Sequence, residues 1–260
     1  MSWPASPLRA PTTTSRTSNR VAALYDVHGN PGALEAALAE AGDATLVFGG
    51  DLAAGPLPVE TLDLIMGLDA LSIRGNADRA LLEDPGEGLA DQWVADQLED
   101  RHREYLVNLP ETVELDVDGL GQVLFCHGSP RSDEEMILKT TPDEWLRDML
   151  RGVEADVVVC GHTHMQFDRT VDGKRVVNAG SVGLPYGAPG AHWVLLGPDV
   201  DHRRTFYDTE AAAARVEAGG WPKAAEIAAE NIRTVPSEEE ALGFFEDIAR
   251  RQWAERSSGR

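Results

Sequence analysis

Seven side chains able to bind a cation recur at similar positions along this sequence. They are Asp26 and His28 in YDVHGN, Asp51 in FGGDL, Asn76 in RGNAD, His127 in FCHGS, and His162 with His164 in CGHTH. Each follows a short apolar run that reads as a strand, so the predicted strand ends carry the chemistry. Singly, each has an ordinary explanation: Gly-Asn makes turns, Asp-x-His caps or turns, and His-x-His sits on surfaces. Together, five strand ends bearing imidazole, carboxylate and amide groups within 260 residues point to a metal centre. In Asp-x-His and His-x-His an extended backbone puts both side chains on one side. The adjoining glycines permit turns and leave room for a ligand or metal. With one carboxylate shared, seven donors suit two divalent transition-metal ions, and the mixture of nitrogen and oxygen suits Mn, Fe, Zn, Co or Ni. Two such ions about 3.5–4 Å apart clamp a phosphoryl oxygen and hold a bridging hydroxide as nucleophile.

The elements that must position these groups are legible as hydrophobic rhythm. VAALYDV, ATLVFGGD and LSI read as strands, with helices predicted over residues 31–41, 59–67 and, as one long segment, 89–108. Residues 78–82 could open a further helix. This βαβαβ order argues for a mostly parallel α/β sheet. Beyond it, TVELDVDG and GQVLFCHG form a predicted antiparallel pair turning at Asp118-Gly119. ADVVVCGHTH is a buried strand, and FDRTVDGKRVVNAGS a hairpin turning at Asp172-Gly173. HWVLLGP and RRTFYD are expected to complete a second sheet. Residues 1–19, rich in Pro, Ser and Thr, are expected to be a disordered leader, and residues 209–260 a helical extension packed on the same domain.

Charge and cysteine content narrow the function classes. Lys+Arg 23 against Asp+Glu 44 gives a net charge of -21, which repels long nucleic acids and anionic membranes. A small phosphorylated substrate stays compatible, because bound cations reverse the local potential. Cys126 and Cys160 are too few for a disulfide framework, and each lies just before a candidate ligand segment, where packing is its expected role. No apolar segment long enough to span a membrane and no signal-peptide pattern is found, so a cytoplasmic location is expected. The sequence leaves the oligomeric state open.

The ordered set Asp26-x-His28, Gly50-Asp51, Gly75-Asn76-x-Asp78, His127 and Gly161-His162-x-His164 resembles the calcineurin-like metallophosphoesterases over about residues 20–208. DVHGN, GGDLAAGP and NAGSVGLP are similar to the small prokaryotic phosphodiesterase branch of that family. The resemblance implies an α/β fold, a four-layer αββα sandwich of two mixed β-sheets flanked by helices. It implies one metal on Asp26, His28, Asp51 and His164 and another on Asn76, His127 and His162, with Asp51 bridging. It also implies catalytic parts for Asp51, Asn76, Asp78 and His127 in hydrolysis of a phosphodiester.

One position departs from the wider family, which has Gly-Asn-His-Asp where this chain has Gly75-Asn76-Ala77-Asp78. That histidine assists the leaving group or steadies the phosphate, and general acid assistance is worth about 10²–10⁴ in rate. Its loss argues against poor leaving groups and frees Asp78 to cap the following helix. Two competing readings follow: a non-catalytic metal-binding scaffold of the same fold, and a phosphomonoesterase, protein phosphatase or nuclease. Retention of all seven ligands favours the enzyme. Asn30 and Arg74 are candidate substrate contacts, with a cap and a surface ion pair as their alternatives. His102, His192 and His202 fall outside the ligand set. Ser237 and Glu240 have the spacing of a capping box opening the last helix, which makes Glu238-Glu239-Glu240 a solvated face. A specificity element is expected within residues 82–109.

Overall fold

A computed structural model describes residues 12–258. The chain enters through β1 (Thr12–Ser18), an edge strand inside the segment expected to be a disordered leader. The strand at Thr12–Ser18 replaces the disorder expected there, and residues 1–11 lie outside the described residues. β2 (Val21–Leu24), α1 (Pro31–Ala41), β3 (Thr45–Phe48), α2 (Pro58–Met66) and β4 (Ala70–Ser72) then supply the expected βαβαβ unit. β2, β3 and β4 run parallel. Proline opens both helices, where its missing N–H costs nothing.

The predicted long helix is instead broken, following α3 (Asn76–Glu83), into α4 (Leu89–Gln97) and α5 (Asp100–Asn108). Hydrophobic periodicity runs through the break, but Leu98 and Glu99 are extended and His102 caps the second piece. The Glu99 N–H donates to His102 Nδ1 at 3.1 Å, which places the ring proton on Nε2, 2.9 Å from Asp63 Oδ1.

β5 (Thr112–Val117) and β6 (Gly121–Cys126) form the expected antiparallel pair. After α6 (Asp143–Met149) come β7 (Val157–Cys160), β8 (Phe167–Val171) and β9 (Lys174–Asn178). The β8–β9 hairpin turns at Asp172-Gly173, both with positive φ, as a two-residue primed turn requires. β10 (Ala191–Leu196) and β11 (Val200–Thr205) correct a second expectation. They join the first sheet, where β10 runs antiparallel to β2, rather than completing the second. β10 is buried at all six positions, so it needs a neighbour on each side, and β2 offers the free edge of the parallel unit.

The result is a six-stranded sheet, β1-β5-β6-β7-β9-β8, facing a five-stranded one, β11-β10-β2-β3-β4. Val21, Ala23 and Tyr25 point between the sheets toward Phe125 and Val159, while Ala22 and Leu24 point out toward α1 and α2. Apolar residues of α6 cover the outer face of the other sheet. This is the four-layer αββα sandwich expected. α7 (Thr209–Ala218), α8 (Ala224–Ile227), a π-helical stretch (Ala228–Arg233) and α9 (Glu238–Ser258) follow. α7 packs against Leu57, whereas α9 packs on Met136, Leu138 and Met165. No helix among the described residues is long and apolar enough to cross a membrane.

His192 on β10 is buried, and its Nε2 has no hydrogen-bond partner among the described residues. Burial, reinforced by the charge of Arg204, pushes its imidazole down to about 4. A depressed pKa means this neutral ring contributes fully above pH 6.5 or so and loses that contribution as pH falls toward 4. His192→Gln is expected to flatten the acid-side decline of urea unfolding free energy by about 1–3 kcal/mol over that window. An unchanged slope would assign the decline to other groups.

Candidate metal centre

The carboxyl ends of β2, β3 and β4 in one sheet and of β6 and β7 in the other open onto a single point. All seven sequence-predicted donors gather there, but not on the extended backbone expected. Among the described residues, six that are not glycine have positive φ, and five of these are Asp26, His28, Asp51, His162 and His164. Each left-handed residue turns the chain sharply after its strand and throws its side chain back over the sheet end. Non-glycine residues in this region are held at a cost of about 1–3 kcal/mol each, so the surroundings must fix them.

They do so with backbone hydrogen bonds. His28 Nδ1 lies 2.9 Å from the Ala54 carbonyl, His127 Nδ1 2.8 Å from that of Gly49, and His164 Nδ1 2.8 Å from that of Leu184. A carbonyl only accepts, so Nδ1 carries a proton in each ring and Nε2 is the atom that faces the centre. His162 is reversed: its Nε2 lies 3.2 Å from the Glu134 carbonyl, leaving Nδ1 as the inward atom. The carboxylates follow the same rule. Asp26 Oδ2 accepts from the His162 N–H at 2.9 Å, and Asp51 Oδ1 from the Ala77 N–H at 2.8 Å. Their other oxygens point inward.

The inward atoms form two groups, Asp26 with His28 and His164, and Asp51 with His127 and His162, each with ligand atoms within 4.8 Å of one another. Asp51 Oδ2 stands between them, 3.7 Å from His28 Nε2 and 3.4 Å from His127 Nε2. Asn76 Oδ1 sits 3.0 Å from His127 Nε2, and His28 Nε2 3.1 Å from His164 Nε2. Acceptors this close repel unless a proton or cation lies between them. Asp26 Oδ1 is fully buried with no hydrogen-bond partner among the described residues. A proton relieves one such pair; a set of several facing acceptors around an orphaned carboxylate oxygen fits divalent cations.

Burial works against charge on every one of these groups. Against it, His127 holds Asp51 well below the usual carboxylate range and is itself raised to about 10 by Asp51 and Asp26. His162, buried and beside His127, is pushed down to about 4.

Glycines make the close approach possible. A Cβ on Gly75 would lie 2.1 Å from Asp51 Oδ1, and one on Gly161 2.5 Å from Asp26 Oδ2. The NAGS segment braces the same loops: Asn178 Nδ2 donates to the Gly161 carbonyl at 2.7 Å, and Ser181 Oγ to that of Asp26 at 2.7 Å. Tyr186 stacks on the His164 ring, with centroids 5.7 Å apart. Sequence reasoning assigned no role to these residues. Only the joint presence of NAGSVGLP hinted at one.

Several expectations need correcting. Asn30 does not face the centre. Its Oδ1 caps α1 through the Ala33 N–H, and its Nδ2 donates to the Gly183 carbonyl at 3.2 Å and to Tyr207. Arg74 stands 3.9 Å from Glu111, the surface pairing weighed against a substrate role. Asp78, a candidate for catalysis, has both oxygens engaged by backbone. Its Oδ1 accepts from the Leu52 and Ala53 N–H groups and its Oδ2 from that of Gly75, at 2.9, 3.2 and 3.2 Å. Burial and the Asp51 charge push its carboxyl up to about 7 against those three bonds. It is a positioning residue, holding the Asp51 loop to the start of α3. His102 caps α5, His192 is buried on β10 and His202 Nε2 reaches the Asn178 carbonyl, none of them at the centre. Cys126 and Cys160 are buried in packing.

Asp78→Ala would leave three buried N–H groups without acceptors, at about 1–3 kcal/mol each. The expected result is a loss of at least ~3 kcal/mol in urea unfolding free energy. A loss below ~1 kcal/mol would mean water replaces the carboxylate and the bracing role is wrong.

Comparison with known proteins agrees with this geometry. A metallophosphoesterase from Sphaerobacter thermophilus superimposes with a TM-score of 0.66 at 27% identity, covering 79% of this chain and 96% of its own. A hypothetical protein from Pyrococcus horikoshii shares the fold, with a TM-score of 0.69 at 24% identity over 82% of this chain and 98% of its own. An uncharacterised protein of Methanocaldococcus jannaschii is 26% identical over 191 residues, 64% of this chain and 76% of that one. Residues 20–199, which carry all seven donors, match the calcineurin-like phosphoesterase superfamily domain, and the chain belongs to that family.

Proposed function

We propose that the protein is a phosphoesterase that works with two divalent transition-metal ions and hydrolyses a small phosphodiester. The observation that carries this reading is the inward set of acceptors, Asp26 Oδ1 above all, buried with no hydrogen-bond partner among the described residues. Asp26, His28 and His164 would hold one ion, Asn76, His127 and His162 the other, with Asp51 between them. When bound, such a pair supplies Lewis acidity toward a phosphoryl oxygen and lowers the pKa of water.

The chain's own residues orient and neutralise. The four backbone carbonyls fix which imidazole nitrogen faces the centre, and the Ala77 and His162 amides aim one oxygen of each carboxylate inward. Beside Asn76, Ala77 has no proton to give where the wider family has a histidine, and both oxygens of Asp78 accept from backbone amides. That supports a diester with a stabilised leaving group over a monoester whose alkoxide needs protonation. The surface charge of -21 supports a small substrate over a long nucleic acid.

The test is elemental analysis with hydrolysis assays over cyclic nucleotides, nucleotide diesters, bis(p-nitrophenyl) phosphate and monoesters, with Mn²⁺ added. Diester turnover is expected, and Asp51→Asn is expected to abolish it together with metal uptake. Full turnover in that variant would overturn the site assignment. No bound metal and no hydrolysis would mark a scaffold instead. Ala77→His is expected to raise turnover of poor leaving groups, by at most about 10²–10⁴. If neither monoester nor diester rates rise, the missing acid is not what limits this protein.

A further inference from the structure

α9 lies wholly outside the matched domain of residues 20–199, yet it reaches toward the metal centre, through Phe245 against the Tyr186 ring beside His164 and, by hydrogen bonds, through Gln252. Gln252 Oε1 accepts from the Met136 N–H at 3.1 Å, and its Nε2 donates to the Glu134 carbonyl at 2.7 Å. The same carbonyl accepts from His162 Nε2 at 3.2 Å. A carbonyl oxygen has two lone pairs, so both bonds coexist.

This carbonyl differs from the other three that orient a histidine. Gly49 directly follows β3, and Ala54 sits in the loop whose Leu52 and Ala53 amides Asp78 holds. The Leu184 N–H is held by Ser181 Oγ at 2.8 Å. Glu134 lies in the connection between β6 and α6, which carries no helix or strand, only an isolated bridge between Ser129 and Ser132. Arg79 holds the side chains of Asp133 and Glu134, but not the carbonyl. Gln252 clamps the backbone itself, with a donor and an acceptor, at the residue that sets the His162 tautomer.

We propose that Gln252 is a positioning residue for the metal centre, acting through the Glu134 carbonyl on His162. The proposal rests on the reading above that the centre binds divalent ions. It makes the C-terminal helix part of the site's support, specific to the ion held by Asp51, Asn76, His127 and His162.

The experiment is Mn²⁺ titration of the metal-free full-length protein by calorimetry with chelator competition, alongside thermal unfolding of the metal-free form. Gln252→Leu keeps the volume and removes both bonds. Gln252→Glu keeps the acceptor for Met136 and removes the donor, and it carries the test if the leucine variant does not fold. Either is expected to weaken one of two sites about 10–100-fold, the range typical of lost hydrogen bonds behind a metal ligand, with the other site unchanged. Glu246→Ala removes a different tie between α9 and this connection, the bond from Thr140 Oγ1 at 2.7 Å, and is expected to leave both sites unchanged. Wild-type affinity at both sites in the Gln252 variants overturns the proposal. Equal weakening by Glu246→Ala does so too, because the effect would then be general docking of the helix. If the wild-type protein takes up no Mn²⁺, the functional reading fails and this one with it.

Discussion

Asp51 occupies the one place where the two sheets need the same side chain. One oxygen is taken by the Ala77 amide at the start of α3, and the other lies between His28, from its own sheet, and His127, from the opposite one. Much of the local architecture serves that placement. Gly75 leaves space for it, Asp78 ties the loop after it to the loop before Asn76, and Gly50 lets the chain turn ahead of it beside the His127 ring. A carboxylate with no solvent is held ionised only where the groups around it compensate. Here the compensation comes from imidazoles of both sheets, His28 from its own and His127 and His162 from the opposite one, which is why neither sheet alone would keep Asp51 charged.

The same logic bears on how a chain with so large a negative charge would accept the anionic substrate proposed for it. Some of the surface acidic groups form ion pairs with arginine, such as Arg175 with Asp168 and Arg215 with Glu60. At the centre, by contrast, two carboxylates face four imidazoles and an amide, and the donor set awaits positive charge. On the proposed reading, attraction for a phosphate would depend on the cations rather than on the protein's own field.

How much of this was legible beforehand follows from what a sequence encodes locally. The donors were visible because their identities are side-chain identities, and the βαβαβ unit because apolar periodicity is local. The carbonyls of Gly49, Ala54, Glu134 and Leu184 were invisible, since every residue has one. The left-handed backbone was hidden too, because Asp and His carry no mark of it, and the extended geometry first assumed gives the same convergence by a different route. Placing β10 beside β2 required a pairing across about 170 residues that no local pattern contains. The break at residues 98–99 was masked by apolar spacing that continues across it, while the His102 cap that enforces it looks like any helical histidine. Asn30 and Asp78 were read as candidates for chemistry because caps and ligands use the same residue types.

The donors of one group lie far apart along the chain: His28 and His164 meet across 136 residues. Ions held there would join two stretches of polypeptide that are synthesised at different times and that no local contact brings together. Closing so long a loop carries a large entropic cost, and an ion that binds only the closed form returns stability in proportion to its affinity. The centre therefore reports on assembly. One sheet supplies four donors and the other three, divided between two groups, so neither sheet alone would surround both ions and tight binding would belong to the assembled sandwich.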